Sequence, residues 1–206
     1  MVFAGSMIQD ELLTPAQAGA VLSLPVSTVN RLIDERLPRA AVCRRRGRRY
    51  LTEVGLVCAV LDRELARDTS VALRKRLYRE IVRQPTRTDF RLTAVLSADI
   101  SEVRRRLRDE VGRYRRAMDL IGEDPDIQGG VACFRGTRLP VRQIADLLAQ
   151  GTPIEELYED YPSLTPERVE AARVFARAHP RRGRPRAPAW RSGEPREIKV
   201  VPRRSA

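Results

Sequence analysis

Apolar residues recur at helical spacing in two short segments near the start of the chain, and a break at residues 23–25 separates them. Thr14 and Pro15 are typical of an N-cap followed by proline at the first helical position, which predicts a helix through about Leu22. The second segment, residues 27–36, places Val29, Leu32 and Ile33 on one face. Its other face carries four polar side chains: Ser27, Thr28, Asn30 and Arg31. Two short helices joined by a tight break predict a helix-turn-helix unit, whose second helix enters the major groove of DNA.

The pattern then changes to a predicted β-hairpin over residues 39–50, with Gly47 at its turn. The tip of this hairpin carries the arginines Arg44, Arg45, Arg46, Arg48 and Arg49. A basic wing beside a DNA-reading helix is the arrangement with which winged helices bind phosphates. Residues 12–61 resemble the winged helix of MerR and excisionase-like proteins, so the four polar residues and the five arginines are predicted DNA contacts. A solvated basic loop is the alternative.

Helical spacing returns after Thr52, which is predicted to cap one helix, and a further helix is expected over residues 70–83. Residues 90–96 alternate instead and predict a single strand whose inward side chains are Phe90, Leu92, Ala94 and Leu96. A lone strand leaves its backbone groups without partners. We therefore expect it to pair, for example with the equivalent strand of a second subunit.

A long helix is predicted to start with Ser101 as its cap, and its apolar side is formed by Val103, Leu107, Val111, Tyr114 and Met118. Its other faces carry seven arginines: Arg104, Arg105, Arg106, Arg108, Arg113, Arg115 and Arg116. This density of positive charge could contact DNA. A solvated face, with Glu102 and Asp109 as ion-pair partners, is the favoured interpretation.

Three short helices are predicted in the next region, beginning at Pro140, Thr152 and Thr165. Gly151 closes the first of them, and Thr152 with Glu155 is predicted to form a capping box for the second. Before these helices, residues 127–139 predict a short β-hairpin. The order of elements predicts a trihelical core similar to that of helix-turn-helix proteins.

The stretch FRGTRLPV, residues 134–141, lies between that predicted hairpin and the first of the three helices. Gly136 is expected to adopt an unusual φ at a chain reversal, Thr137 to satisfy nearby backbone groups, and Pro140 to fix the start of the helix. The alternative is a phosphate site formed by Arg135 and Arg138. Residues 117–176 hold 5 basic against 11 acidic residues, and this excess of negative charge argues against contact with DNA.

The whole chain is basic, with 39 Lys and Arg against 27 Asp and Glu and a formal net charge of +12. Residues 63–116 and 177–206 each contribute a net charge of +8, so the positive charge flanks the acidic segment. Such a balance predicts an acidic partner, either nucleic acid or an acidic protein surface. The acidic segment between them indicates that different parts of the chain have different partners.

Composition predicts a cytoplasmic protein without catalytic chemistry. The three cysteines are widely spaced and form no CxxC motif, which is typical of reduced, structural cysteines. No apolar run is long enough to span a bilayer, and the N-terminus lacks the basic segment of a secretory signal. His179 is the only histidine, so a catalytic base and zinc ligands are both scarce. We expect no enzymatic activity, no cofactor and no metal.

Residues 121–185 closely resemble the family known as domain of unknown function 433. The residues that carry the resemblance include Gly130, Arg135, Gly136, Thr137, Arg138, Pro140, Asp160, Tyr161 and Pro162. The resemblance implies a homeodomain-like bundle and a role as an antitoxin that accompanies a PIN-like ribonuclease toxin. With a winged helix and a basic middle region before it, the chain is similar to the longer VapB-type antitoxins.

Proline, glycine and arginine dominate residues 181–206, which predict a disordered tail. Within it, RGRPR at 182–186 resembles the core of an AT-hook, and IKVV at 198–201 could add a strand to a partner's sheet. The resemblance to antitoxins implies that this tail binds the toxin through Arg186, Trp190, Arg191, Arg196, Arg203 and Arg204. Trp190 would fill a pocket, and the arginines would pair with carboxylates that hold Mg²⁺ in the nuclease. A solvated terminus is the alternative.

These patterns predict a mostly α fold with short β elements, divided into four parts. A winged helix-turn-helix domain is expected over residues 1–62. It is followed by a basic helical region over 63–118, which contains one strand and serves for linking or dimerisation. A trihelical homeodomain-like bundle with a β-hairpin is expected over 119–180, and the tail covers 181–206. The expected partners are a PIN-like ribonuclease, operator DNA and either a second copy of the chain or a toxin–antitoxin hetero-oligomer. A stand-alone winged-helix regulator or excisionase-like factor, without a toxin, is the alternative function.

Overall fold

Eight α-helices and three pairs of short antiparallel strands make up residues 12–181, the part of the chain that the computed structural model describes. The helices are α1 Pro15–Leu22, α2 Val26–Glu35, α3 Glu53–Glu64, α4 Val71–Arg83, α5 Ser101–Asp119, α6 Val141–Ala149, α7 Ile154–Asp160 and α8 Pro166–Ala178. The strands are β1 Val42–Arg45, β2 Arg48–Leu51, β3 Asp89–Arg91, β4 Ser97–Asp99, β5 Ile121–Gly122 and β6 Cys133–Phe134. The prediction of a mostly helical chain with short strands is confirmed.

The first helix is fixed by the cap that its sequence predicts. The Thr14 hydroxyl accepts a hydrogen bond from the Gln17 backbone N–H at 3.3 Å, and the Gln17 side chain accepts one from the Thr14 N–H at 2.9 Å. Ser23 ends the helix in the left-handed region with φ 53°. The chain then passes Pro25 and begins α2, in which Val29 and Leu32 are buried.

Helix α3 runs through the interior of the molecule. Thr52 caps it by accepting a hydrogen bond from the Gly55 N–H at 3.2 Å. Leu56, Val57 and Cys58 are fully buried on it. Burial raises the pKa of the Cys58 thiol to about 12, so this cysteine stays protonated and acts as a small apolar side chain.

The middle region contains a β-hairpin, and the prediction of one strand paired with a second subunit is wrong. Strand β3 pairs with β4 of the same chain, in the register Asp89↔Asp99, Phe90↔Ala98 and Arg91↔Ser97. Phe90 and Leu92 are buried as predicted, but Ala94 and Leu96 lie exposed in the connecting turn. The chain reverses because the Thr93 hydroxyl accepts a hydrogen bond from the Leu96 N–H at 3.0 Å.

Helix α5 follows this hairpin and buries the predicted stripe of Val103, Leu107, Val111 and Tyr114. Its N-cap is Ile100 rather than the predicted Ser101. The Asp99 carboxylate instead accepts a hydrogen bond from the Ser101 N–H at 2.8 Å. The acidic side chain that precedes the helix therefore satisfies one of the free backbone donors of the first turn.

Two details of the C-terminal region differ from the sequence prediction. The expected hairpin within residues 127–139 is found only in part. The chain does reverse at Gly136, where Cys133 forms an antiparallel bridge with Pro140 and the Phe134 N–H donates to the Leu139 carbonyl at 3.1 Å. The strand β6, however, pairs with β5, which lies directly after α5, and residues 128–130 form a single 3-10 turn. The expected capping box of Thr152 and Glu155 is wrong. Helix α7 begins after Pro153 without a side-chain cap, and the Thr152 hydroxyl is buried without a hydrogen-bond partner within the described residues.

The other predicted helix ends of this region are confirmed. Gly151 follows α6 with φ 84°, a left-handed conformation that suits glycine beyond the end of a helix. The Thr165 hydroxyl caps α8 by accepting a hydrogen bond from the Arg168 N–H at 3.4 Å. Helix α8 then packs against α6, α1 and α5. The buried apolar residues consequently form one continuous cluster from Leu13 to Ala178.

Within residues 12–181, none of the helices is both long and apolar enough to cross a membrane. The described chain thus holds no candidate for a helical membrane span. The division into four parts stays a prediction.

Candidate nucleic-acid interface

Strands β1 and β2 form a two-stranded hairpin, called here the arginine hairpin, whose tip is built almost entirely from arginine. Its turn is made by Arg46 and Gly47, which have φ 48° and 73°. Two central residues with positive φ match the tight turn that suits the twist of a β-hairpin, and glycine adopts this conformation without strain. Arg45 pairs with Arg48 and Arg44 with Arg49 across the strands. Four arginines therefore stand in two opposed pairs behind the turn.

Arg49 joins the arginine hairpin to α2. Its guanidinium donates hydrogen bonds to the Asn30 side-chain oxygen at 2.9 Å and to the Asp34 carboxylate at 2.5 Å. Two of the predicted DNA contacts, Arg49 and Asn30, thus bind each other. Both are half-buried, and their contact fixes the hairpin beside the polar face of α2.

The remaining predicted contacts of this surface are accessible. Thr28 is half-buried at the start of α2, and six residues are exposed: Ser27, Arg31, Arg44, Arg45, Arg46 and Arg48. The structure therefore joins the two predicted elements through Arg49 and Asn30 and leaves most of their other predicted residues exposed. A side chain that reaches a base or a phosphate must be free to extend, and these residues meet that condition.

A buried charged cluster beneath this surface was missed in the sequence. Asp62 on α3 is only 5% exposed. Its carboxylate accepts hydrogen bonds from Arg36 at 2.8 Å, from the buried Arg74 at 3.1 Å and from the Tyr78 hydroxyl at 3.0 Å. Burial, together with the negative charge of Asp62, raises the pKa of Tyr78 far above its ordinary value. The cluster ties the end of α2 and the first two turns of α4 to α3.

Four of the seven arginines of α5 are engaged in ion pairs, which supports the favoured interpretation of a charge-paired face. Arg104 pairs with Glu53 at 3.1 Å and Arg106 with Glu64 at 2.9 Å, so both tie α5 to α3. Arg105 contacts Glu102 at 2.7 Å and Asp109 at 3.7 Å, as predicted, and Arg113 contacts Glu110. The hydrogen bond from Arg105 lowers the pKa of Glu102.

The stretch FRGTRLPV has the architectural role that its sequence predicts. Gly136 adopts φ 73° at the reversal. The Thr137 hydroxyl donates to the Phe134 carbonyl at 2.8 Å and accepts from the Leu139 N–H at 3.1 Å. Pro140 forms a β-bridge with Cys133 and precedes α6 directly.

The alternative phosphate site in this stretch gains no support from the geometry. The Arg135 guanidinium donates to the Asp119 carbonyl at 2.8 Å, which ties it to the end of α5. Arg138 is exposed. The Arg135 side chain therefore binds a backbone carbonyl of its own chain.

The remaining residues of the predicted family motif lie in turns of the same region. Gly130 has φ 82° in the connection that leads to β6. Tyr161 follows α7, and its hydroxyl accepts a hydrogen bond from the Gln143 side chain of α6 at 2.8 Å. Asp160 is the last residue of α7, and Pro162 is exposed beyond it. The motif therefore shapes the connections between helices.

The only histidine of the chain lies at the end of α8. His179 stacks on Phe175 with ring centroids 4.6 Å apart. Burial and the nearby Arg142 lower its pKa, so the ring is neutral at pH 7. Among the described residues, no group of three or more His, Cys, Asp or Glu side chains is placed to hold a metal ion. The predicted toxin contacts Arg186, Trp190, Arg191, Arg196, Arg203 and Arg204, with the RGRPR segment, lie outside the described residues.

Comparison with known proteins gives one family and one relative. Residues 121–176 match the family described as protein of unknown function DUF433. The chain is 31% identical over 191 residues to a protein of Sinorhizobium fredii described as uncharacterized protein y4eO, and the match covers 85% of each chain. No solved structure matches the chain.

Proposed function

The chain belongs to the DUF433 family through residues 121–176, and we propose that it is a DNA-binding antitoxin of a type II toxin–antitoxin module. In this role it neutralises a PIN-like ribonuclease and represses its own operon from the cytoplasm. The proposal assigns it neither a catalytic step nor a cofactor.

One observation carries the DNA-binding half of the proposal: Arg49 holds the arginine hairpin against the polar face of α2. We interpret helices α1 and α2 with this hairpin as a MerR-like winged helix-turn-helix, with α2 as its recognition helix. Ser27 and Arg31 on α2 would face bases or phosphates, and the exposed arginines of the hairpin would contact the phosphate backbone. Arg49 and Asn30 would position the wing, since their polar groups already bond each other.

The helices α6, α7 and α8 are proposed as a homeodomain-like bundle that assembles subunits rather than reading DNA. Its segment, residues 117–176, carries 11 acidic against 5 basic residues and would be repelled by a phosphate backbone. A helix-turn-helix-like fold alone does not confer DNA binding. The negative net charge of this segment therefore favours subunit assembly over DNA binding. A homodimer would place two recognition helices on successive turns of one duplex.

The toxin-neutralising half of the proposal is assigned to residues 181–206. PIN-like nucleases hold Mg²⁺ through clustered carboxylates, and arginine pairs with carboxylates through two parallel hydrogen bonds. Arg191, Arg196, Arg203 and Arg204 supply such groups, and Trp190 supplies a large apolar anchor. Insertion of these arginines would displace or misplace the metal.

The wing is tested by the double substitution Arg45→Ala and Arg48→Ala, which leaves the Arg49 contacts intact. We expect affinity for every duplex sequence to fall about tenfold and the salt dependence of binding to decrease by about one phosphate for each arginine. Fluorescence anisotropy at several salt concentrations measures both. The control is Arg105→Ala with Arg113→Ala, which removes the same charge from the ion-paired face of α5. Equal losses of affinity in the two variants would mean that the arginines of the hairpin act only through the overall charge of the protein. If neither variant lost affinity, a DNA-binding role of the wing would be excluded.

The toxin-binding role is tested by co-expression with the product of the neighbouring gene. The full chain is expected to co-purify with that protein and suppress its ribonuclease activity, whereas a chain that ends at Arg186 keeps its DNA affinity but loses both properties. Suppression by the shortened chain would exclude the tail as the inhibitor. If the full chain binds DNA but not the neighbouring product, the function is that of a stand-alone winged-helix regulator.

A further inference from the structure

A basic groove of about 1110 Å³ lies between the end of α2, the arginine hairpin and α4. Six basic side chains from three separate segments line it, against two acidic ones. The basic residues are Arg36, Arg39, Arg44, Arg49, Lys75 and Arg79, and the acidic residues are Asp34 and Glu35. Asp34 is already paired with Arg49. Arg36 is held by the buried Asp62. Arg39, Arg44, Lys75 and Arg79 are then left against Glu35, and the lining offered to a ligand is net positive.

The arginine hairpin turns one of its two faces toward this groove. Side chains alternate between the faces of a strand, so the cross-strand pair Arg44 and Arg49 shares a face with Val42, which also lines the groove. Arg45 and Arg48 belong to the opposite face. The hairpin accordingly presents positive charge in two directions, and one of them leads to α4.

Helix α4 supplies the facing wall of the groove. Leu77, Tyr78 and Ile81 bury its inner side, whereas Lys75 and Arg79, one turn apart, are exposed on its outer side. Ala72 lies one turn before Lys75 and also lines the groove. A small side chain at that position leaves space for a backbone to approach the helix.

The position of α4 relative to α2 is fixed before any ligand arrives. Asp62 binds Arg36 at the end of α2 and Arg74 of α4 with the same carboxylate. Arg74 also donates to the Thr69 carbonyl at 2.5 Å, which closes the connection that precedes α4. A site whose backbone is already ordered loses less conformational entropy when it binds, because only its side chains remain to be fixed.

We propose that α4 is a second phosphate-binding element of the DNA interface, in which Lys75 and Arg79 contact the backbone of a strand that lies in the basic groove opposite Arg44. This inference rests on the proposed DNA-binding function and extends it to a helix outside the winged unit. Lysine and arginine on α4 bind phosphates as charges and read no bases, so the contacts add affinity without sequence preference.

The test is the double substitution Lys75→Ala and Arg79→Ala in the full chain, measured on a duplex from the region upstream of its gene and on a random-sequence duplex. Affinity for both is expected to fall about tenfold, with a salt dependence lower by about two phosphates. The charge-preserving variant Lys75→Arg with Arg79→Lys should retain wild-type affinity. Thermal unfolding should be unchanged, because both residues are exposed.

The control is again Arg105→Ala with Arg113→Ala, which should bind more tightly than the α4 variant. An α4 variant that binds like the wild type, while Arg45→Ala with Arg48→Ala binds weakly, would overturn the inference and leave the proposed function intact. A wild-type chain that binds neither duplex would overturn the DNA-binding function itself. If the α4 variant kept its affinity for DNA but lost its binding to the neighbouring gene product, the groove would be assigned to a protein partner. That result would also overturn the inference.

Discussion

Replacing Asp62 with alanine is expected to lower the free energy of unfolding by about 3–5 kcal/mol, the cost of removing one partner from a buried ion pair. The substitution leaves the Arg74 guanidinium buried without its carboxylate and removes the acceptor of the Tyr78 hydroxyl. It also releases Arg36, so α2 and α4 lose their shared attachment to α3. Chemical denaturation monitored by circular dichroism measures the change.

Two further variants show whether this loss comes from the uncompensated charge. Glu102→Ala removes an exposed ion pair with Arg105, so its effect on the free energy of unfolding should be small beside that of Asp62→Ala. Asp62→Leu combined with Arg74→Met replaces both buried charges and should recover part of the stability lost in the single variant. A single variant as stable as Glu102→Ala would show that the buried cluster contributes little.

The substitution Gly55→Ala is expected to destabilise the chain by about 1–3 kcal/mol, the usual cost of overpacking a close contact. A Cβ atom at Gly55 would lie 2.4 Å from the Ala41 carbonyl oxygen and 3.4 Å from the Leu51 Cβ. That carbonyl cannot move freely, because it accepts hydrogen bonds from the Thr52 N–H and hydroxyl, both at 3.1 Å. The arginine hairpin must therefore shift away from α3, and affinity for DNA should fall with stability.

Gly112→Ala provides a matched control of opposite sign. Gly112 also lies within a helix, but the nearest atom to its added Cβ is the flexible end of Arg116 at 3.4 Å. Removing a glycine from such a site should stabilise the helix by about 0.5–1 kcal/mol. Thermal unfolding of the two variants in parallel separates close packing from helix propensity, and a Gly55→Ala chain as stable as Gly112→Ala would refute the contact.

Local sequence signals predicted the helices well because their causes lie within a few residues. Thr14, Thr52, Ser70 and Thr165 each cap a helix by accepting from a backbone N–H three residues later. Thr137 in FRGTRLPV likewise bonds the Phe134 and Leu139 backbone nearby. Thr152 has the same local pattern and fails as a cap, since α7 begins after Pro153. A capping motif thus predicts a helix start but does not ensure that the side chain is used.

Pairing across long stretches of sequence could not be predicted in the same way. Strand β4 is the short polar segment SAD, which carries no alternating apolar pattern, so the partner of β3 went unnoticed. Asp62 follows Leu61 in an apolar helix. Its burial could have been predicted from the sequence only if the residues that pair with it had been known. Those partners, Arg36 and Arg74, lie 26 and 12 residues away.

The exposure of the proposed DNA contacts could be predicted, because exposure on α2 and in a glycine turn is a local property. Their mutual contacts could not, since the bond between Arg49 and Asn30 spans 19 residues. Likewise, the charges of Lys75 and Arg79 are visible in the sequence, but their place beside Arg44 emerges only from the packing of α4.

Because α8 packs against α1 and α5 as well as against α6, the family-matching region and the arginine-bearing region depend on each other for burial of their apolar side chains. Neither half would be a ready module for exchange between genes. A recombination event near residue 120 would join two segments from different chains. The product would be stable only if the apolar surfaces of the two segments still packed against each other. This packing favours inheritance of the chain as a whole. The match to the relative likewise extends over 85% of each chain and covers both regions.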